Sequence, residues 1–372
     1  MHDTLCANVG FEIRRIEMKP RNTAKPLAKL TRPLPHVGVG MFRVSILTNV
    51  PPVLREFGHD PDRVLAEIGM DTAMLADPDA LIPFRMVGTL VQHCVTRTGC
   101  DHFGLLIGER GDAATTGAVG LLLCNAPDVG TALSSMVKYL HHHDRGAVVT
   151  LEVVGSRANL GYHIYEADVP AADQIHAAAI AVGLRIMQDL CGPNWHPTEV
   201  RLPFRRPADT EAYRRVFKAP LRFDAEQAAL VFPARWLTHE LPGADPDLQR
   251  EIKSLLGASG QADLADQVRR AVRATLVSGK ISEEDLARAL NVSRRTLIRH
   301  LEAGGTSFSA LIQGVRLEVA CQLLRDTDRP VAEVAESLGY AGTSPFRRAF
   351  KRWTGQTPTE WRAREAPGRC AT

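Results

Sequence analysis

Two stretches near the carboxyl end set cations at helical spacing. SRRTLIRH (293–300) carries Arg294, Arg295 and Arg299, and SPFRRAFKR (344–352) carries Arg347, Arg348, Lys351 and Arg352. A guanidinium fork matches guanine O6 and N7 through two parallel hydrogen bonds, a cation of either type suits a phosphate, and a Thr or Ile methyl can touch the thymine methyl. The chemistry on offer is recognition of a polyanion. Other candidates are weaker. His141, His142, His143 and Asp144 invite a metal reading, but adjacent histidines at a helix end point in different directions and no further ligand spacing supports them. Tyr162, His163, Tyr165 and His176 suit either the lining of a small-molecule pocket or hairpin and helix packing.

The bond-breaking motifs are absent. There is no Gly-x-Ser-x-Gly elbow, no Walker loop, no His-Glu-x-x-His and no dinucleotide fingerprint, so no catalytic residue, metal or cofactor is expected. Seven scattered cysteines without a Cys-x-x-Cys pair fit a reduced, cytoplasmic protein. Cys94 and Cys124 read as small buried hydrophobes, with redox sensing as the alternative. No apolar run reaches the roughly 18 residues that span a bilayer, and residues 1–40 lack a secretory h-region, so no membrane contact is expected.

The elements that must position the cations come in a repeat. LARALNVSRRTLIRHL (Leu286 to Leu301) and VAESLGYAGTSPFRRAF (Val334 to Phe350) align at an offset of 49 residues, with Leu297, Arg299 and Leu301 matching Phe346, Arg348 and Phe350. Each copy predicts a short helix, a tight turn and a second helix packed on the first. Ala287 and Ala335 fall where the helices cross closely. The first turn runs through Asn291 and Val292 to Ser293 as N-cap. The second, through Gly339 to Gly342, is one residue longer and ends on Ser344 as cap and Pro345 in the first helical turn. Between the copies, Ser307 to Thr327 reads as one helix of roughly 31 Å, close to the roughly 34 Å of one DNA turn. Trp353 and Trp361 read as packing residues of the last helix, and Gly355 as the stop of its predecessor.

The charge distribution separates this module from the rest. Residues 1–40 carry seven Lys and Arg against three Asp and Glu, residues 41–260 carry 20 against 26, and residues 261–372 carry 18 against 13. At 372 residues, 45% apolar and 23% charged, the chain suits two globular domains, an acidic one and a basic one. The acidic part mixes helix and strand without βαβ alternation. Helices fill Val44 to Arg110, separated by loops such as Asp77 to Pro83. A helix from Pro127 to about His141 turns Leu133, Met136, Val137 and Leu140 inward, and a hairpin joins Val148 to Val154 with Ala158 to Tyr165. An Ala-rich helix over Ala171 to Cys191, a strand at Glu199 to Leu202, a helix at Thr210 to Phe217 and strands near Leu221 to Phe223 and Ala229 to Phe232 complete an α+β domain. Leu241 to Asp263 reads as hinge, with a linker helix over Leu248 to Leu256.

The segments SRRTLIRHLEAGGTSF, VRLEVACQLL, VAEVAESLGY and SPFRRAFKRWTGQTPTEWR occur in the order and spacing of the arabinose-regulator (AraC/XylS) family's DNA-binding domain, which the chain resembles from about Gln267 to Arg364. LIPFRMVGTLVQHCVTRTG followed by HFGLLIGER resembles the arabinose-binding-like sensor domain of such regulators. The resemblance implies an α+β sensor domain, then an all-α domain with two helix-turn-helix units joined by a long helix. The expected divisions are a disordered extension over 1–40, an effector-binding or dimerisation domain over 41–241, a linker over 242–263, the DNA-binding domain over 264–365 and a tail over 366–372. On the family pattern the base-reading positions are Arg295, Thr296, Ile298 and Arg299, then Thr343, Ser344, Pro345 and Arg348. Ile298 and Pro345 depart from it by being apolar. Ser293, Arg294, Arg347, Lys351 and Arg352 would contact phosphates. The implied partners are double-stranded DNA, RNA polymerase in an activator's mode, a small effector of unknown site, and a second copy of the chain. A non-specific architectural DNA protein is the competing reading.

Overall fold

The computed structural model describes residues 37, 38, 40–166, 169–258, 272, 283, 284, 287, 293–303 and 305–365. Most of the expected amino-terminal extension, the tail 366–372 and the turn through Asn291 and Val292 lie outside them. Val37, within the expected extension, is buried, and its carbonyl accepts from Arg145 Nη1 at 2.7 Å.

The amino-terminal part is α+β. β1 (Met41–Arg43) leads through a 3-10 turn into α1 (Val50–Glu56) and α2 (Pro61–Ala66), whose first turn Asp60 caps by accepting from the Asp62 N–H. β2 (Leu81–Pro83) then pairs antiparallel with β1, setting Phe42 opposite Ile82. This corrects the loop expected over Asp77 to Pro83. Three residues carry no readable alternation, and their pairing partner is remote in the chain. α3 (Phe84–Thr98) ends on Gly99 at φ 66°, a left-handed stop, before α4 (Phe103–Gly108). α5 (Ala118–Cys124) and α6 (Val129–Tyr139) follow, with Asp128 Oδ1 accepting from the Thr131 N–H at 2.7 Å as the α6 cap.

The inward face of α6 differs from the expected stripe at one position. Leu133, Met136 and Leu140 are buried, but Val137 is 41% exposed, and Val129 and Ala132 complete the buried face. Periodicity puts Val137 at the flank of the stripe, where a side chain can stay exposed while the centre of the stripe is buried.

β3 (Ala147–Val154) and β4 (Arg157–Ile164) form the expected hairpin, with Val149 facing Tyr162. α7 (Ala172–Cys191) follows, then β5 (Glu199–Arg201), α8 (Glu211–Phe217), β6 (Leu221–Arg222) and β7 (Ala228–Pro233). The sheet order is β3-β4-β7-β5-β6, antiparallel except for β5 beside β6. α7 lies against β4 and β7, and α4 packs across it. That crossing needs two glycines. A Cβ on Gly104 would stand 2.1 Å from the Gln174 carbonyl oxygen, and one on Gly108 2.3 Å from that of Ala178. α9 (Pro246–Ala258) occupies much of the expected hinge, with Ile252 and Leu256 buried.

The described carboxyl-terminal elements are all helical: α10 (Arg294–Ala303), α11 (Phe308–Asp326), α12 (Val331–Ser337), α13 (Thr343–Thr354) and α14 (Pro358–Glu365). Ser293 caps α10 by accepting from the Thr296 N–H at 3.1 Å, and Ser307 caps α11 through the Ala310 N–H at 3.1 Å. α13 corrects the expected cap. Gly342 is its N-cap, so Ser344 and Pro345 are the second and third helical residues. Pro345 still costs nothing, since its position is one whose N–H has no partner within the helix.

α11 walls two separate cores. Leu311 and Val315 pack with Val272, Ala287, Leu297 and Leu301, whereas Ala320, Leu323 and Leu324 pack with Val334, Ala335, Leu338, Phe346, Phe350 and Trp361. At about 1.5–3 kcal/mol per buried large side chain, each half of α11 is anchored independently. Trp361 packs edge-on to Phe350 with centroids 6.0 Å apart, and Trp353 approaches Tyr340 at 6.5 Å. Among the described residues no helix is long and apolar enough to cross a membrane.

Candidate nucleic-acid interface and sensor cavity

α10 and α13 divide their residues alike. Leu297 and Leu301 are buried on α10 while Arg294, Arg295 and Arg299 are exposed; Phe346, Ala349 and Phe350 are buried on α13 while Ser344, Pro345, Arg347, Arg348, Lys351 and Arg352 are exposed. Arg295 and Arg299 stand four residues apart on one face, as do Arg347 with Lys351 and Arg348 with Arg352. None of these six cations forms an ion pair with another described residue. Arg294 differs. Its Nε donates to Glu283 Oε2 at 2.6 Å and lies 3.4 Å from Glu284 Oε1. The Ser293 and Thr296 hydroxyls share a hydrogen bond of 2.8 Å, which turns the Thr296 side chain's polar atom back to its own helix. Thr296, Ile298 and Thr343 are half-buried.

A cavity of about 110 Å³ lies between α7 and the sheet. Its walls are apolar: Phe42 and Leu47, Val87 and Val91 of α3, Ile180 of α7 and Leu230 of β7 among them. One end is polar. Tyr162 donates its hydroxyl to Asp144 Oδ2 at 2.7 Å, and Asp144 Oδ1 accepts from the N–H groups of Gly146 (2.8 Å) and Ala147 (3.1 Å). Burial pushes the Asp144 carboxyl up to about 6, against these three hydrogen bonds, and burial beside Asp144 raises the Tyr162 phenol well above its usual value. Burial, aided by the charge of Arg43, drops His143 to about 3. Its imidazole is therefore neutral, and its Nδ1 is buried without a hydrogen-bond partner.

The remaining candidates separate. His141 and His142 stack at 4.2 Å, and no group of three or more His, Cys, Asp and Glu able to hold a metal occurs among the described residues. Tyr162 reaches the cavity, but His163 and His176 do not. They line a second, smaller cleft with Tyr162, while Tyr165 lines neither. Cys94 is buried, which pushes its thiol up to about 12 and keeps it out of the reactive thiolate form at neutral pH.

Residues 58–241 match the model of the arabinose-binding domain of AraC transcription regulators, and residues 286–364 match a helix-turn-helix domain model. The chain belongs to the AraC/XylS family of transcription regulators. It is 25% identical to the HTH-type transcriptional regulator VirS of Mycobacterium tuberculosis over 87% of this chain and 96% of that protein. The ornithine utilization regulator of Pseudomonas aeruginosa is 28% identical, over 85% of this chain and 92% of its own. The regulator VqsM of the same organism is also 28% identical, over 70% and 83%.

In this regulator the sensor part grips the carboxyl end of α11. Arg205 donates from its backbone N–H to the Asp326 carbonyl (3.0 Å), from Nη1 to the Arg325 carbonyl (2.8 Å), from Nη2 to the Thr327 carbonyl (3.3 Å) and from Nε to Asp328 Oδ1 (2.8 Å). A cation on the last carbonyls of a helix meets the negative end of its dipole. Next to it, the Asp328 N–H donates to Asp224 Oδ1 at 2.9 Å. The buried Arg329 donates from Nη2 to Glu226 Oε1 at 2.8 Å, and Ser337 donates to the same oxygen at 2.9 Å. Burial alone would raise the Glu226 carboxyl, but Arg329 and Ser337 outweigh it and hold it below its usual value. The small cleft sits in this seam, walled by Tyr162, His163 and His176 on one side and Val319, Gln322 and Leu323 of α11 on the other. Tyr162 thus borders both the cavity and the seam. The seam residues carried no local sequence signal, because Arg205 and Asp328 are 123 positions apart and neither belongs to a motif.

Proposed function

We propose that the protein is a sequence-specific transcription activator whose two reading helices, α10 and α13, belong to two helix-turn-helix units joined by α11. The observation that carries this reading is the pair of exposed arginine-bearing faces, each backed by its own core on a shared helix. At 19 residues α11 is roughly 28 Å long, near one turn of DNA, so the two helices suit successive major grooves on one side of a duplex. Arg295, Thr296, Ile298 and Arg299 read bases from α10, and Thr343, Ser344 and Arg348 read them from α13. The methyl group of Thr296 faces thymine, since its hydroxyl is held by Ser293. Ser293, Arg294, Arg347, Lys351 and Arg352 hold phosphates, Arg294 after exchanging Glu283 for one.

The first unit supplies most of the discrimination, and the second, with Pro345 in its reading helix, chiefly anchors. Residues 41–241 form the sensor, 242–263 the linker and 264–365 the DNA-binding domain. The sensor cavity takes a small effector, the bound state recruits RNA polymerase, the chain pairs with a second copy, and it works in the cytoplasm without catalysis. Footprinting of the full chain on selected fragments, with random DNA as competitor, tests this. The expected result is protection of two adjacent major grooves on one face at a defined site. Protection of a single groove, or equal competition by random DNA, refutes it.

A further inference from the structure

The cavity's lining says what kind of molecule it can hold. Its walls leave a ligand almost nothing to bond with away from one end. The Thr115 and Thr116 hydroxyls, which also border it, are already committed to Asp112 Oδ1 (3.0 Å) and the Ala113 carbonyl (2.8 Å). A sugar, with a hydroxyl on nearly every carbon, would bury most of them unpaired, each at a cost comparable to a lost hydrogen bond. A carboxylate would face Asp144 in a desolvated space, where two like charges repel strongly. A cation would meet the Asp144 carboxylate but would have to shed its water in an otherwise apolar space, with the charge of Arg43 opposing it through the same end that already disfavours a charged His143. What remains is the unpartnered Nδ1 of His143, which borders the cavity together with the hydrogen-bonded Asp144 and Tyr162. A cavity of about 150 Å³ with aliphatic and aromatic walls accepts benzene, so this one suits a ring or branched chain slightly smaller or similar in size.

We propose that the cavity binds an uncharged, mostly apolar molecule of about five to seven heavy atoms that carries one hydroxyl group, held between His143, Asp144 and Tyr162. This deepens the effector reading above and rests on it for its regulatory meaning. The hydroxyl lies against Tyr162, whose ring also walls the seam with α11. Occupancy of the cavity therefore bears on the contact that holds the DNA-binding part.

The test is calorimetric titration and thermal unfolding of the purified full chain with cyclohexanol, phenol, benzene, cyclohexanecarboxylate, cyclohexylamine and L-arabinose. Cyclohexanol and phenol are expected to bind and to raise Tm in a concentration-dependent way. Benzene is expected to bind about tenfold more weakly, the loss of one hydrogen bond, and the other three not to bind. Tighter binding of the carboxylate, the amine or arabinose than of cyclohexanol overturns the proposal, as does the absence of any shift with both hydroxyl compounds. Gly183→Leu, which grows a side chain from α7 into the cavity where only Leu230 Cδ1 stands near at 3.4 Å, is expected to abolish binding. Should that variant fail to fold, Asp144→Asn and the wild-type ligand series still decide, the variant being expected to shrink the preference of cyclohexanol over benzene. DNA affinity measured in parallel separates the two readings. Cyclohexanol that binds without changing DNA affinity upholds the ligand assignment and removes the effector role. A DNA response to some other compound, with cyclohexanol inert, overturns the assignment and leaves the effector role standing.

Discussion

Arg205→Ala isolates the grip of the sensor on α11. The substitution removes a guanidinium that bonds two carbonyls at the helix end and one carboxylate, and leaves the Arg205 backbone N–H bond to Asp326 in place. The Asp328 ion pair contributes little by itself, about 0–1 kcal/mol, because the Arg205 and Asp328 side chains are 29% and 56% exposed. The two carbonyl bonds add about 0.5–1 kcal/mol each, so docking should weaken by about 1–3 kcal/mol, or roughly 5- to 150-fold. Amide hydrogen exchange reads this directly. The Thr327 N–H, bonded to the Leu323 carbonyl, and the Asp328 N–H, bonded to Asp224, are expected to exchange faster by that factor. Arg206→Ala, at the exposed neighbouring position, is the control and should leave exchange unchanged. Unchanged exchange over residues 323–329 in Arg205→Ala would refute the assignment of Arg205 as the clamp.

Arg299→Ala is expected to cost roughly 1–3 kcal/mol at its cognate base pair and less on random DNA; equal losses on both, in competition binding, would remove Arg299 from the base-reading set. Lys351→Ala should weaken specific and random DNA alike and lower the slope of log Kd against log salt by about 0.9, checked by anisotropy across a salt series. Ser293→Ala is expected to destabilise the carboxyl-terminal part by about 1 kcal/mol through loss of the α10 cap, read from chemical unfolding. His143 is held at about 3, below its ordinary value, so the unfolded chain takes up its proton first and this residue's stabilising contribution falls as pH drops from about 6.5 towards 3. Asp144, held at about 6, acts oppositely, since the folded chain keeps its proton longer and loses stability as pH rises from about 4 to 6. His143→Gln should therefore flatten the acid loss of Tm, whereas Asp144→Asn should steepen it between pH 6 and 4. Parallel Tm profiles for both variants and the parent would contradict these burials.

Much of the carboxyl-terminal architecture was legible because its signals are local. Ser293 and Ser307 cap where their type and position suggest, Gly355 ends α13 at φ 76°, and the apolar spacing of Leu297 with Leu301 and of Phe346 with Phe350 fixes which faces of α10 and α13 are buried. With those faces inside, the intervening arginines are outside by geometry alone. The same holds for the β3–β4 hairpin, whose turn and alternation lie within one stretch of chain. Where local signals were ambiguous the reading slipped by a residue or a flank, as at Ser344 and Val137.

Tertiary structure decided everything that depends on segments far apart in the chain. β2 exists because Leu81–Pro83 meets Met41–Arg43, and the sensor cavity exists because residues as far apart in the chain as Phe42, Val91, Ile180 and Leu230 are brought to its walls. Asp144 stood in the sequence as the end of a histidine run that invited a metal. Only burial beside Tyr162, with two backbone N–H groups on one oxygen, makes it the polar end of an apolar cavity. The seam is the plainest case. Arg205, Glu226 and Arg329 are ordinary surface-type charges in sequence, and they acquire a role only where folding carries the end of α11 to the sensor. Sequence alone determined which faces of α10 and α13 stay exposed, since helix periodicity and capping act within a few residues; what the sensor can hold and how it grips α11 depended on burial and long-range approach, which no short window of sequence contains.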